Sequence, residues 1–135
     1  MSQANVEQVQ EVFARFGRGD VPAILEMLDE NVIIDFYGPP TIPYAGHYET
    51  KAEARKFFET VLASVNINQF DQHEFIAERD KVVVFGHLNL TAKSTGGTID
   101  SDYVHVITVR DGLWHQFRDF MNTAVGVEAF TPRQA

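Results

Sequence analysis

The chain has 135 residues, 44% of them hydrophobic and 22% charged, which is ordinary composition for one globular domain with a real core. A formal net charge of -8, with no Lys/Arg cluster to offset it, argues against a nucleic-acid backbone or an anionic membrane as partner. The chain has no cysteine, which removes disulfides, thiolate nucleophiles and Cys-ligated metals together.

The first predicted helix runs from Ala4 to Phe16, with Val6, Val9, Phe13 and Phe16 at three- and four-residue spacing. Gly17 and Gly19 end it. Asp20 is a natural N-cap for a second, shorter helix that tolerates Pro22 in its first turn and buries Ile24, Leu25 and Leu28. Val32 to Tyr37 reads as a strand stopped by Gly38-Pro39-Pro40, and a loop with Pro43 and Gly46 follows. Thr50-Lys51-Ala52-Glu53 has the form of a capping box and opens a third helix that buries Ala54, Phe57, Phe58 and Val61, with Val65 near its end. Beyond Asn66 the pattern changes to period two, with strands near 69–78, 82–92, 98–110 and 113–122. Asp111-Gly112 is a two-residue hairpin signal. Residues 123–135 form a short terminal segment with Phe130 tucked back. These elements make one α+β domain over residues 1–135, in which three helices cover a curved antiparallel meander and leave a cavity. The first residues carry neither the basic flank nor the apolar stretch of a signal peptide, and no apolar run reaches transmembrane length. A cytoplasmic location is the expectation.

Several stretches carry a family resemblance. "FGRGDVPAILEMLDENVIID", "PYAGHYETKAEARKFFETV" and "SDYVHVITVRDGLWHQFRDFMNTAV", in this order and spacing, resemble the SnoaL-like, ketosteroid-isomerase-related members of the NTF2-like superfamily. The resemblance spans about Val6 to Ala129. It implies a cone-shaped, curved antiparallel sheet, and a fold that hosts isomerases, cyclases, hydrolases, dehydratases and non-enzymatic binders.

Strand alternation sorts the polar groups by face. His115, Phe117, Asp119 and Met121 share one side of the last strand, and Trp114, Gln116, Arg118 and Phe120 the other. Tyr103, His105 and Ile107 share a side of the strand before it. Similarity to ketosteroid isomerases implies that the Tyr103/His105 side and the Phe117/Asp119 side both face the cavity. Asp119, between Phe117 and Met121, and His105 would then form an acid–base pair in a dry pocket. Tyr103 would stabilise negative charge on an oxygen. Phe57, Phe117 and Met121 serve as apolar walls; Tyr44 and His47 sit in a loop placed to cover the mouth. Asp35 and His87 are further substrate-binding candidates; Asp35 reads first as a solvated or interface residue, and His87 equally as a pocket liner or a dimer contact. Each of these polar residues also has a structural reading, in which it satisfies a hydrogen bond or holds a strand end.

Against ketosteroid isomerases, Val12 stands where an oxyanion-hole tyrosine is expected. Phe36 takes the place of the proton-shuttling aspartate unless the register slips to Asp35, and His105 replaces a protonated aspartic acid. Against limonene-epoxide-hydrolase-like enzymes, Asp119 matches one acid, but Tyr103-Val104-His105 stands where Arg-x-Asp is expected. The five histidines show no metal-ligand spacing, and no phosphate loop or nucleophile elbow is present. The expectation is a cofactor-independent protein that takes a small apolar, oxygenated molecule, with a non-catalytic binder as the alternative. A homodimer is also expected, through an outward sheet face bearing Val104, Val106, Trp114 and Phe120.

Overall fold

The computed structural model describes residues 2–133. Its elements are α1 (Ser2–Gly17), α2 (Val21–Leu25), β1 (Leu28–Phe36), β2 (Gly46–Glu49), α3 (Thr50–Ser64), β3 (Val65–Glu78), β4 (Lys81–Ala92), β5 (Thr98–Arg110), β6 (Leu113–Met121) and α4 (Thr123–Phe130). The strands form one curved, unclosed sheet in the order β2-β1-β6-β5-β4-β3. β3 to β6 are an antiparallel meander, and β1 joins its end parallel to β6.

Local chemistry explains most boundaries. Asp20 caps α2, its carboxylate accepting the Ala23 N–H at 3.2 Å. Asp111 and Gly112 both have positive φ, 52° and 74°, as a tight hairpin between β5 and β6 requires. Four helices rather than three are present among the described residues, because 123–130 coils into α4. Leu28 opens β1 instead of closing α2, and Val65 opens β3 instead of ending α3. The loop expected after Pro43 contains β2, which pairs with β1 from Ile33↔Glu49 to Phe36↔Gly46.

The capping box forms with a shift. Thr50 Oγ1 accepts the Glu53 N–H at 3.4 Å, while the Glu53 carboxylate accepts the Glu49 N–H at 2.7 Å rather than that of Thr50. Thr50 has φ +76°, a left-handed conformation that a β-branched residue adopts only under strain. That strain costs about 1–3 kcal/mol, more than so long a capping bond returns. Thr50→Gly is therefore expected to be at least as stable as the native chain, whereas Thr50→Ala keeps the strain, loses the cap and costs roughly 0.5–1 kcal/mol. Urea midpoints decide this; a Gly variant less stable than the Ala variant would show the strain account wrong.

The core lies between the helices and the inner face of the sheet. Val9, Val12 and Phe13 of α1, Ala54, Phe57 and Phe58 of α3, and Ile34, Val84, Ile107 and Phe117 of the strands are buried there. The β5–β6 register shifts between Thr108 and Val109, so that Thr108 opposes Gln116 and Val109 opposes Trp114, with His115 as the extra residue. This bulge reverses the expected facing of Trp114. Trp114 is 1% exposed and points inward, edge-on to Phe13, with its Nε1–H donated to Gln8 Oε1 at 2.7 Å. His115 leaves the Phe117 side, and its Nδ1 lies 3.9 Å from Asp29.

Candidate functional site

A cavity of about 70 Å³ lies between α1, α3 and the inner face of the sheet. Its walls include Phe13, Phe57, Phe70, Trp114 and Phe117, and Asp119 is the one formally charged residue among them. A second depression of about 320 Å³ lies between α1 and β3, and shares Phe13, Phe16, Ile67 and Phe70 with the cavity. Phe70 makes edge contacts to Phe13 at 5.7 Å and Phe16 at 5.6 Å, and these three rings line both spaces.

Register brings the polar pair together. His105 on β5 faces Asp119 on β6, and Phe36 on β1 lies on the other flank of Asp119. His105 Nε2 is 3.3 Å from Asp119 Oδ1, with side-chain exposures of 4% and 13%. The His105 ring packs on Tyr103 at 4.3 Å and meets Phe117 edge-on at 4.8 Å, which fixes its plane. A carboxylate and an imidazole in an aromatic cavity can exchange a proton with a bound molecule.

The other predicted residues divide. Phe57, Phe117 and Met121 line the cavity. So does Tyr44, which is 3% exposed and so is a wall rather than a cover. Its ring stands edge-on to Phe36 at 5.0 Å and to Phe130 at 5.9 Å. Burial first, and the Asp119 charge second, raise the Tyr44 phenol above its usual range, so it keeps its hydrogen. Tyr103 is drawn away: its hydroxyl donates to the Asp71 carbonyl at 2.8 Å, and burial above all pushes its pKa up to about 12.

Asp35, His47 and His87 lie away from the cavity. Asp35 alternates with the buried Ile34 and Phe36, so the register does not slip and Phe36 is the cavity residue of β1. Asp35 instead meets His47 Nδ1 at 2.5 Å, while His47 Nε2 meets Glu49 at 2.8 Å. His87 is held likewise between Asp102 and Asp100, each at 2.8 Å. Hydrogen bonds to Asp35 and then Glu49 raise the His47 pKa, and bonds to Asp102 and then Asp100 raise that of His87. In both clusters the acids sit at opposite edges of the ring, so three donors do not converge on one point. Among the described residues no group of three or more such side chains is arranged to hold a metal.

Phe13, Phe70 and Trp114 were not foreseen as cavity residues. The helical spacing of Phe13 marked it only as core, Phe70 lies where strand alternation is weak, and Trp114 depends on a bulge that alternation does not reveal.

A model of the SnoaL-like domain matches residues 9–117. An NTF2-like protein from Burkholderia xenovorans LB400 is 29% identical, with 97% of this chain and 98% of that one covered at a TM-score of 0.89. An NTF2-like protein of unknown function from Burkholderia pseudomallei K96243 is 27% identical, with coverages of 97% and 99% and a TM-score of 0.83. TerC, co-crystallised with polyporic acid, is 27% identical, with coverages of 94% and 98% and a TM-score of 0.81. No curated protein matches at a significant level.

Proposed function

The chain belongs to the family of SnoaL-like domains, and from that membership we propose that it binds a small, largely apolar, oxygenated molecule and acts on it by acid–base chemistry without a cofactor. The observation that carries this is the His105–Asp119 contact of 3.3 Å at the wall of an aromatic cavity. Isomerisation, hydrolysis and cyclisation all need a proton moved to or from the reacting molecule, and such a pair supplies it. The resemblance to TerC, crystallised with polyporic acid, supports a small-molecule ligand. The small size of the inner space, about 70 Å³, favours a second reading, in which the domain is a non-catalytic binder or interaction module packed by its own rings. Amide NMR titration with a panel of small aromatic carbonyl compounds separates the two. Shifts centred on His105, Phe117 and Asp119 together with turnover that Asp119→Asn abolishes support the first, and cavity shifts without turnover, or shifts confined to the outer sheet face, support the second. No helix among the described residues is long and apolar enough to cross a membrane.

The protein is also proposed to be a homodimer. Register aligns Phe85, Val104 and Phe120 in one row across the outer face, and Tyr37 stacks on Phe120 at 4.9 Å. Tyr37 is 43% exposed and Phe85 37%, a contiguous apolar band of the kind that marks interfaces. The Arg118 guanidinium lies over the Tyr37 and Phe120 rings and bonds the Tyr37 hydroxyl at 3.0 Å. Sedimentation equilibrium is expected to show a dimer at micromolar concentration that Phe120→Glu breaks; a monomer in the native chain would contradict it.

A further inference from the structure

Both ring nitrogens of His47 and both of His87 lie against carboxylates. His47 stands between Asp35 at 2.5 Å and Glu49 at 2.8 Å, and His87 between Asp102 and Asp100, each at 2.8 Å. A carboxylate only accepts and a neutral imidazole carries one hydrogen, so each ring fills both contacts only as imidazolium. The acids accordingly hold both rings protonated above the ordinary value of about 6.5. The two clusters share the outer sheet face. His87 follows Phe85 by two residues along β4, and Asp102 precedes Val104 by two along β5, so this cluster continues the apolar band at one edge. Asp35 pairs in register with Arg118, whose guanidinium covers Tyr37 and Phe120, so the His47 cluster adjoins the band on the β1 side. Asp71 also faces His87, from β3, and His73 lies 3.9 Å from Asp71. Around His47, Arg118 faces Asp35 from β6, and the Glu53 carboxylate of α3 lies at the Glu49 N–H. An interface of ordinary size, about 800 Å² per copy, reaches past the band into both clusters.

We propose that the outer face is a proton-controlled dimer surface: two copies pair while His47 and His87 are imidazolium, and separate as these rings lose their protons. This rests on the dimer reading above. Covering the face takes the clusters out of water. Two carboxylates moved out of water need the cation between them. A neutral ring leaves both negative charges of its cluster uncompensated, in a chain that already carries a net charge of -8. The dimer therefore binds these protons more tightly than the monomer does. Association is fully present below the monomer's already raised histidine values, and is lost as pH rises through the still higher values of the dimer.

Sedimentation equilibrium of the full chain between about pH 6 and pH 9 tests this, a range that brackets the histidine titration. The dissociation constant of the native dimer is expected to rise at least about tenfold across it. Glutamine keeps an amide donor but never carries the charge, so His47→Gln and His87→Gln should each remove roughly half of that rise. The double variant is expected to dimerise no better at the acid end than the native chain does at the basic end, and to show no slope. A native dimer of constant affinity across the range, or a native slope in the double variant, would overturn the proton control and leave the dimer standing. A native chain that is monomeric at every pH would overturn the dimer reading and the proton control together.

Discussion

Asp119→Asn is expected to abolish turnover and ligand response while leaving the thermal midpoint within a few degrees of the native value. Asparagine keeps the volume of the side chain and one acceptor oxygen but cannot take a proton, so it separates chemistry from packing. The carboxylate lies against His105 and Phe36 in an aromatic setting, and its charge already reaches the Tyr44 and Tyr103 phenols. Nothing in that setting uses Asp119 to close a helix or tie a loop. A general acid–base group of this kind contributes about 10²–10⁴ in rate, and a loss of that size with an intact fold is the expected result. A structural Asp119 would give the reverse pattern, a lower midpoint with ligand binding preserved.

The largest stability effect is expected at Gly86. A Cβ built there would stand 2.0 Å from the Asp71 carbonyl oxygen and 2.4 Å from Cζ and Oη of Tyr103. Gly86 pairs with Gln72 just where the β3–β4 register shifts, so the strands approach closely over the missing side chain. Through this gap the Tyr103 hydroxyl reaches the Asp71 carbonyl. Gly86→Ala must therefore displace backbone as well as a ring, and is expected to cost at least about 3 kcal/mol, or roughly 10 °C in thermal midpoint. Tyr103→Phe alone removes one hydrogen bond and should cost about 1 kcal/mol. Combining the two should not rescue the fold, because the nearest obstruction is the backbone oxygen. Recovery in the double variant would place the conflict in the Tyr103 hydroxyl instead.

Much of this was legible in the sequence where local chemistry decides the outcome. The Asp20 cap, the Asp111-Gly112 turn and the Phe13 stripe each act within a few residues, and each is found as expected. The facing of His105, Phe117 and Met121 came from the family resemblance, since a regular two-residue hairpin sets His105 opposite Arg118 and only the bulge at His115 sets it opposite Asp119. Trp114 was misplaced because the extra residue at His115 shifts the alternation, and nothing local announces a bulge. Tyr44 was expected in a covering loop, since Gly38-Pro39-Pro40 and Pro43 signal irregular chain; the inward turn of that chain depends on rings from Phe36 and Phe130, distant in sequence. Asp35 and His47 carry the residue types of a reactive pair, but their partnership is set by the β1–β2 pairing on the outer face.

The most direct measurement is a crystal structure of the protein soaked with acetophenone. The account predicts ligand density bounded by Phe57, Phe117 and Met121 and lying beside His105 and Asp119. Density only on the outer sheet face, with the cavity closed by its own aromatic rings, would contradict it.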